Sequence, residues 1–247
     1  MKKNPFKRIL CIVIAAVMLC SVFASTAAAA TKCACGHSPV VMISGFGATI
    51  LSEKQEDGSL KRVFPPDTKE ILKLLGVNAP DLVTGIIELL AQKGTDGIEK
   101  PLRDIITSIV EPLRMNDDGT SYYDIVPILS GAKNTSLEAF TKNGQLDLVP
   151  YTGSEFLDME VIGDEIGDDH VFNFLYDWRL SHADVAAQLH DYLAEVCALT
   201  GHDKVSVYSI SQGSLLLGTY MYEYPNDNYI DRAVFDTPLL AGSNLVS

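Results

Sequence analysis

Three kinds of hydrophobic pattern follow one another along this chain. The first is an unbroken uncharged apolar run over residues 9–24. The second is a set of short runs: residues 39–44 (Pro-Val-Val-Met-Ile-Ser) and 171–176 (Val-Phe-Asn-Phe-Leu-Tyr) are nearly continuous, as expected of strands covered on both faces. Residues 205–208 and 230–235 read as two further strands. The third is helical periodicity over residues 68–75, 81–92, 98–113, 183–199 and 212–224. In the fourth of these, Val185, Ala186, Leu189, Leu193, Val196 and Cys197 fall on one stripe. Asp67 and Asp81 are placed to cap the first two helices, Gly201 to end the fourth and Pro225 to stop the fifth. Asn116-Asp117-Asp118-Gly119 reads as a turn.

From residue 170 onward the order is strand, helix, strand, helix, strand. That order predicts an α/β fold with a doubly wound parallel sheet. The 247 residues suffice for one such domain with a large core, and they contain no internal repeat. Residues 52–169 are too long for a simple crossover. They are expected to form a helical lid over the carboxyl ends of the strands, where ligands of such sheets bind, or else to pack on the core.

Charge and cysteine content alter the picture at the amino terminus. Lys2, Lys3, Lys7 and Arg8 precede the first apolar run, and Ala28-x-Ala30 follows it. This predicts a secretory signal peptide over residues 1–30; the run is short for a retained anchor, which needs ~20 residues. Leu19 before Cys20 opposes lipid attachment there. Cleavage takes the formal charge from −13 to −17, since the segment carries four basic residues and no acid. So acidic a protein is a poor binder of nucleic acid. Cys33, Cys35 and Cys197 remain after cleavage, too few for a disulfide framework. Cys33-x-Cys35 with His37 could be half of a metal site, but the sequence shows no further ligands. The expectation is a flexible tail, no metal and no cofactor. Cys197, on the helix stripe, is expected to be buried.

The candidate chemistry lies at Lys204 to Leu215. A β-branched strand ends at Ser211 and an apolar helix begins at once. That is the layout of a nucleophile elbow, although the usual G-x-S-x-G reads Ser209-x-Ser211-x-Gly213. Crowding at such a turn requires small residues at 209 and 213. Gly45-Phe46-Gly47, directly after the first strand, is placed to supply a second oxyanion donor. The backbone N–H groups of Phe46 and Gln212 would form the pair; the plainer alternative is a glycine-rich turn.

Residues 39–48, Tyr176-Asp177-Trp178-Arg179-Leu180, the serine segment and residues 236–243 together resemble, in order, the lecithin:cholesterol acyltransferase–like branch of the α/β-hydrolases. The pentapeptide is the most specific piece. The resemblance implies a Ser-Asp-His triad, a lid, and ester or acyl chemistry on lipids. Only Ser211 and the oxyanion segment carry over residue by residue; Ser209 departs from the usual glycine, and Asp236 stands where a glycine or small residue is usual. In that chain order the acid and the histidine follow the serine. Here His37, His170, His182, His190 and His202 all precede Ser211. His182 and His190 read as surface residues, and Asp236 is a weak candidate for the acid. The expectation is an exported serine hydrolase or O-acyltransferase, lacking its triad acid and base in this chain and continuing beyond residue 247. Its substrate would be a lipid or small ester, its lid could touch a lipid surface transiently, and no oligomeric state is implied. The alternative is a non-catalytic secreted binding protein on the same fold.

Overall fold

The computed structural model describes residues 33–91, 94–149, 155–239 and 242, without the side chains of 155–158. The expected signal peptide lies outside the described residues, as do Leu240, Ala241 and Ser243. The strands are β1 (Val40–Ile43), β2 (Leu51–Lys54), β3 (Leu60–Phe64), β4 (Ile125–Pro127), β5 (Val171–Phe174), β6 (Val205–Ile210) and β7 (Ile230–Asp236). The α-helices are α1 (Thr68–Leu90), α2 (Asp96–Val110), α3 (Leu137–Asn143), α4 (Glu155–Ile166), α5 (His182–Thr200) and α6 (Gln212–Glu223).

The predicted parallel sheet is present, in the order β5-β1-β6-β7. β1 pairs in parallel with β5 on one side and β6 on the other, and β7 pairs in parallel with β6. Alternation along β1 explains the continuous apolar run. Val41 and Ile43 enter one core with α5 and α6, through Val185, Leu189, Leu193, Leu216 and Leu217. Met42 enters a second core with Leu137, Phe140 and Met159 from α3 and α4. Each fully buried side chain of this size contributes ~1.5–3 kcal/mol relative to exposure. Cys197 is buried, as its stripe predicts. Asp67 caps α1 by accepting from the Glu70 N–H, and Gly201 ends α5 in a left-handed conformation.

The insertion departs from the expected helical lid in three respects. β2, β3 and β4 form an antiparallel sheet of their own, in the order β3-β2-β4. α3 and α4 are part of the core, because they fill the face of β1 and β5 that α5 does not cover. And α1 is one helix rather than two: it runs through Gly76 and Pro80, and Asp81 lies inside it instead of capping a second helix. The Asn78 amide donates to the Leu74 carbonyl and the Thr84 hydroxyl to the Pro80 carbonyl. Packing against α2 through Gly85 and Gly97 does the rest; such tertiary contact overrides local propensity. The α1–α2 hairpin leaves Leu72, Val77, Val83, Ile87, Leu90 and Ile106 exposed. No helix among the described residues is long and apolar enough to cross a membrane.

Candidate active site

Ser211 sits between the end of β6 and the start of α6 with φ 53° and ψ −118°. A non-glycine residue there is strained, at a cost of order 1–3 kcal/mol. Three contacts hold it. Its N–H donates to the Asp236 carbonyl at 3.0 Å, and its carbonyl accepts from the Ser214 N–H at 3.1 Å. Behind the helix start, Gly213 touches β1. A Cβ at 213 would overlap the Ile43 carbonyl oxygen and lie 2.6 Å from that of Ser44, so only glycine fits.

The departure at 209 is accommodated by hydrogen bonding. Ser209 is fully buried, and its Oγ donates to the Val234 carbonyl at 2.9 Å and lies 3.1 Å from Ser214 Oγ. Ser214 Oγ in turn donates to the Ser209 carbonyl at 3.0 Å and to that of Asp236 at 3.2 Å. Two hydroxyls thus stitch β6, α6 and β7 together beneath Ser211.

The loop after β1 lies beside the serine. A Cβ on Gly45 would sit 3.1 Å from Ser211 Cβ and 3.6 Å from its Oγ. The Ala48 N–H donates to the Gly45 carbonyl at 3.3 Å, and Gly47 has φ 73°. That is a turn whose third residue needs positive φ. It contains Phe46, 66% exposed. Gln212 is the first residue of α6, so its N–H belongs to the first turn, which has no partner within the helix. The structure therefore brings together Ser211, Gln212 and the Gly45–Gly47 turn, as the sequence predicts.

The pentapeptide surrounds this point, which its sequence alone does not reveal. Tyr176 donates its hydroxyl to the Ser44 carbonyl at 2.9 Å, and Trp178 its Nε1–H to that of Thr49 at 3.3 Å. The Trp178 carbonyl accepts from the Gln212 side-chain amide at 2.9 Å. Its ring meets Phe46 edge-on at 4.5 Å and Phe64 at 5.1 Å. Asp177 and Arg179 form a bidentate pair at 2.9 and 2.6 Å, with side chains only 3% and 4% exposed, and Arg179 also donates to Ser121 Oγ. The sequence marks this stretch by its resemblance; its contacts with the loop after β1 and with Gln212 emerge only in the fold.

Four of the remaining candidates, Asp236, His170, His190 and His202, are engaged elsewhere. The Asp236 carboxylate accepts from the Tyr208 hydroxyl at 2.6 Å. His190 is not a simple surface residue: Asp227 holds its Nδ1 at 2.9 Å and Tyr224 stacks on it at 4.6 Å. His182, also expected at the surface, begins α5 with its Nε2 buried and without a partner among the described residues. Burial holds its imidazole below the ordinary value, and so favours the neutral form. His37 is exposed. His170 and His202 lie against Cys33 and Cys35, so the fold supplies the neighbours that the sequence around Cys33-x-Cys35 lacks. Among the described residues no histidine hydrogen-bonds to Ser211. No family model matches this chain, and no curated protein does.

Proposed function

We propose that Ser211 is the nucleophile of an exported serine hydrolase or O-acyltransferase of the lecithin:cholesterol acyltransferase–like α/β-hydrolase type, acting on lipid or small acyl esters. The observation that carries this reading is the strained backbone of Ser211, wedged between Gly45 and Gly213 at a strand-to-helix turn. Strain of this kind collects at functional sites. The arrangement supports attack of Oγ on an ester carbonyl. In this reading the N–H groups of Gln212 and Phe46 hold the resulting oxyanion; loss of one such donor typically costs ~3–4 kcal/mol. Collapse of the tetrahedral intermediate expels the alcohol and leaves an acyl-serine, which water or a second alcohol then discharges. The proton of Oγ passes to a general base and from there to the departing alkoxide. The reading requires a base, and an acid to orient it, beyond the residues hydrogen-bonded around Ser211. The exposed apolar hairpin α1–α2 suits acyl chains or a lipid surface.

The test is labelling of the natively encoded protein with a fluorophosphonate, together with hydrolysis of p-nitrophenyl esters of increasing chain length. Modification is expected at Ser211 and lost in Ser211→Ala. A folded protein that neither labels nor turns over ester refutes the reading. That result would favour the second one, a secreted binding protein on the same fold, for which the engagement of His170, His190 and His202 away from Ser211 speaks.

A further inference from the structure

The amino edge of the parallel sheet carries a cluster that the chemistry at Ser211 does not use. Cys33 and Cys35 precede β1, His170 immediately precedes β5, and His202 lies just before β6. These three strands are neighbours in the order β5-β1-β6. Folding the sheet therefore gathers four residues scattered over 170 positions of sequence. One donor atom from each lies within 4.8 Å of all the others. The Cys33 and Cys35 sulfurs are 3.8 and 3.7 Å from His170 Nε2, and the Cys35 sulfur is 3.4 Å from His202 Nε2. A tetrahedral zinc with Zn–S near 2.3 Å and Zn–N near 2.05 Å needs S···N edges of about 3.6 Å.

We propose that Cys33, Cys35, His170 and His202 form a structural zinc site that fastens the segment before β1 to the amino ends of β5 and β6. Two thiolates and two imidazoles in a compact tetrahedron are the donor set of closed zinc sites. The surroundings fit ligation. Asp169 Oδ1 lies 2.9 Å from His170 Nδ1. A carboxylate there accepts a hydrogen bond from Nδ1–H, which fixes that tautomer and leaves the Nε2 lone pair for the metal. The Cys35 N–H points at Cys33 Sγ from 3.4 Å, a donor that favours a thiolate. The backbone is fixed as well: the Cys33 N–H donates to the Gly201 carbonyl at 3.1 Å, the His202 N–H to that of Cys197 at 3.2 Å and the His170 N–H to that of Gly167 at 3.0 Å. His37, the nearest histidine in sequence, is not in the cluster. Loading one Zn2+ forms two Zn–S and two Zn–N bonds and releases the two thiol protons, so affinity falls as pH falls.

The role is structural because of position. β6 separates the cluster from Ser211, and its six residues alone span about 17 Å. Four protein ligands also leave no open coordination position for substrate. The inference does not depend on the reading of Ser211.

The test is metal analysis of the full chain purified without chelator or metal-affinity resin, with one zinc per chain expected. After removal of that zinc under reducing conditions, Co2+ should give the intense visible bands of a tetrahedral site and a thiolate-to-cobalt band in the near ultraviolet. Cys35→Ser and His202→Ala should each abolish stoichiometric uptake. Asp169→Asn keeps all four ligands and should weaken zinc binding ~10–100-fold. If the ligand variants do not fold, the wild-type metal content and the cobalt spectrum still decide. Folded, reduced protein that takes up neither Zn2+ nor Co2+ overturns the proposal. So does a Cys33–Cys35 disulfide in the protein recovered from its natural compartment, which would make the pair a redox element instead.

Discussion

Replacing Ser209 by glycine would restore the G-x-S-x-G pattern, and the structure predicts that it weakens the protein. Glycine has no conformational advantage at this position: among the described residues the non-glycine positions with positive φ are Ser211 and Thr237, not Ser209. The substitution deletes the hydrogen bond from Ser209 Oγ to the Val234 carbonyl at 2.9 Å and the 3.1 Å contact with Ser214 Oγ. Net loss of one such bond is ~1 kcal/mol, and up to ~3 kcal/mol where the abandoned carbonyl stays buried. Glycine inside a strand adds roughly 0.5–1 kcal/mol. The expected total is about 1.5–4 kcal/mol. Urea unfolding followed by the fluorescence of Trp178, the only tryptophan, measures it. With an m-value of ~2 kcal/mol/M the midpoint should fall by about 0.8–2 M. Ser209→Ala keeps the Cβ and loses only the hydroxyl, so its loss should be smaller by about the glycine term. A Ser209→Gly protein as stable as wild type, or more so, would refute the argument that the hydroxyl pair holds β6, α6 and β7 together.

Three further outcomes follow from the same geometry. Ser211→Gly relieves the backbone strain and should raise stability by ~1 kcal/mol in urea melts while abolishing fluorophosphonate labelling; a loss of stability would show that Ser211 is not strained. Arg179→Met leaves the Asp177 carboxylate buried without its guanidinium and should cost ~3–5 kcal/mol, whereas Asp177→Leu with Arg179→Met should cost much less than the sum of the two single changes; additive losses in a double-mutant cycle would contradict this. For Asp227, burial raises the carboxyl pKa, but hydrogen bonds from Tyr220, His190 and the Asn228 N–H outweigh it and hold the group below its ordinary 3.8. A depressed carboxylate adds stability above its unfolded pKa and loses it as pH falls through the folded value. The gap in urea midpoint between wild type and Asp227→Asn should therefore be widest near neutrality and close in acid below pH ~4; parallel curves would refute it.

The periodic parts of the fold were legible because their causes are local. The run at 39–44 is apolar throughout since Val41 and Ile43 face one core and Met42 the other. The stripe from Val185 to Cys197 is what α5 buries. Ser211, Gly213 and the Gly45–Gly47 turn were legible because only small residues tolerate such close approach. The failures are non-local. Nothing near Pro80 shows that α2 will keep α1 continuous across it. Nothing in residues 137–166 shows that Phe140 and Met159 will cover β1. His190 reads as a surface histidine until Asp227, 37 residues away, is placed against it. Cys33-x-Cys35 likewise reads as a loose tail until the sheet brings up His170 and His202.

The two ends of the parallel sheet carry different features. At the carboxyl edge the backbone is forced into a high-energy turn at Ser211, and a strained turn persists only where its surroundings over-determine it. Those surroundings are β6 held by β1 and β7, the Gly213 contact with the Ile43 and Ser44 carbonyls, the two buried hydroxyls, and the Trp178 carbonyl that fixes Gln212. Each of them depends on β1 and β6 keeping their register. At the opposite edge the Cys-His cluster joins β5, β1 and β6, the strands that set this register. Fastening the amino edge therefore also stiffens the frame in which Ser211 is strained. Stripping metal from that cluster should loosen Ser211 without touching it, visible as slower fluorophosphonate labelling that returns when zinc is restored.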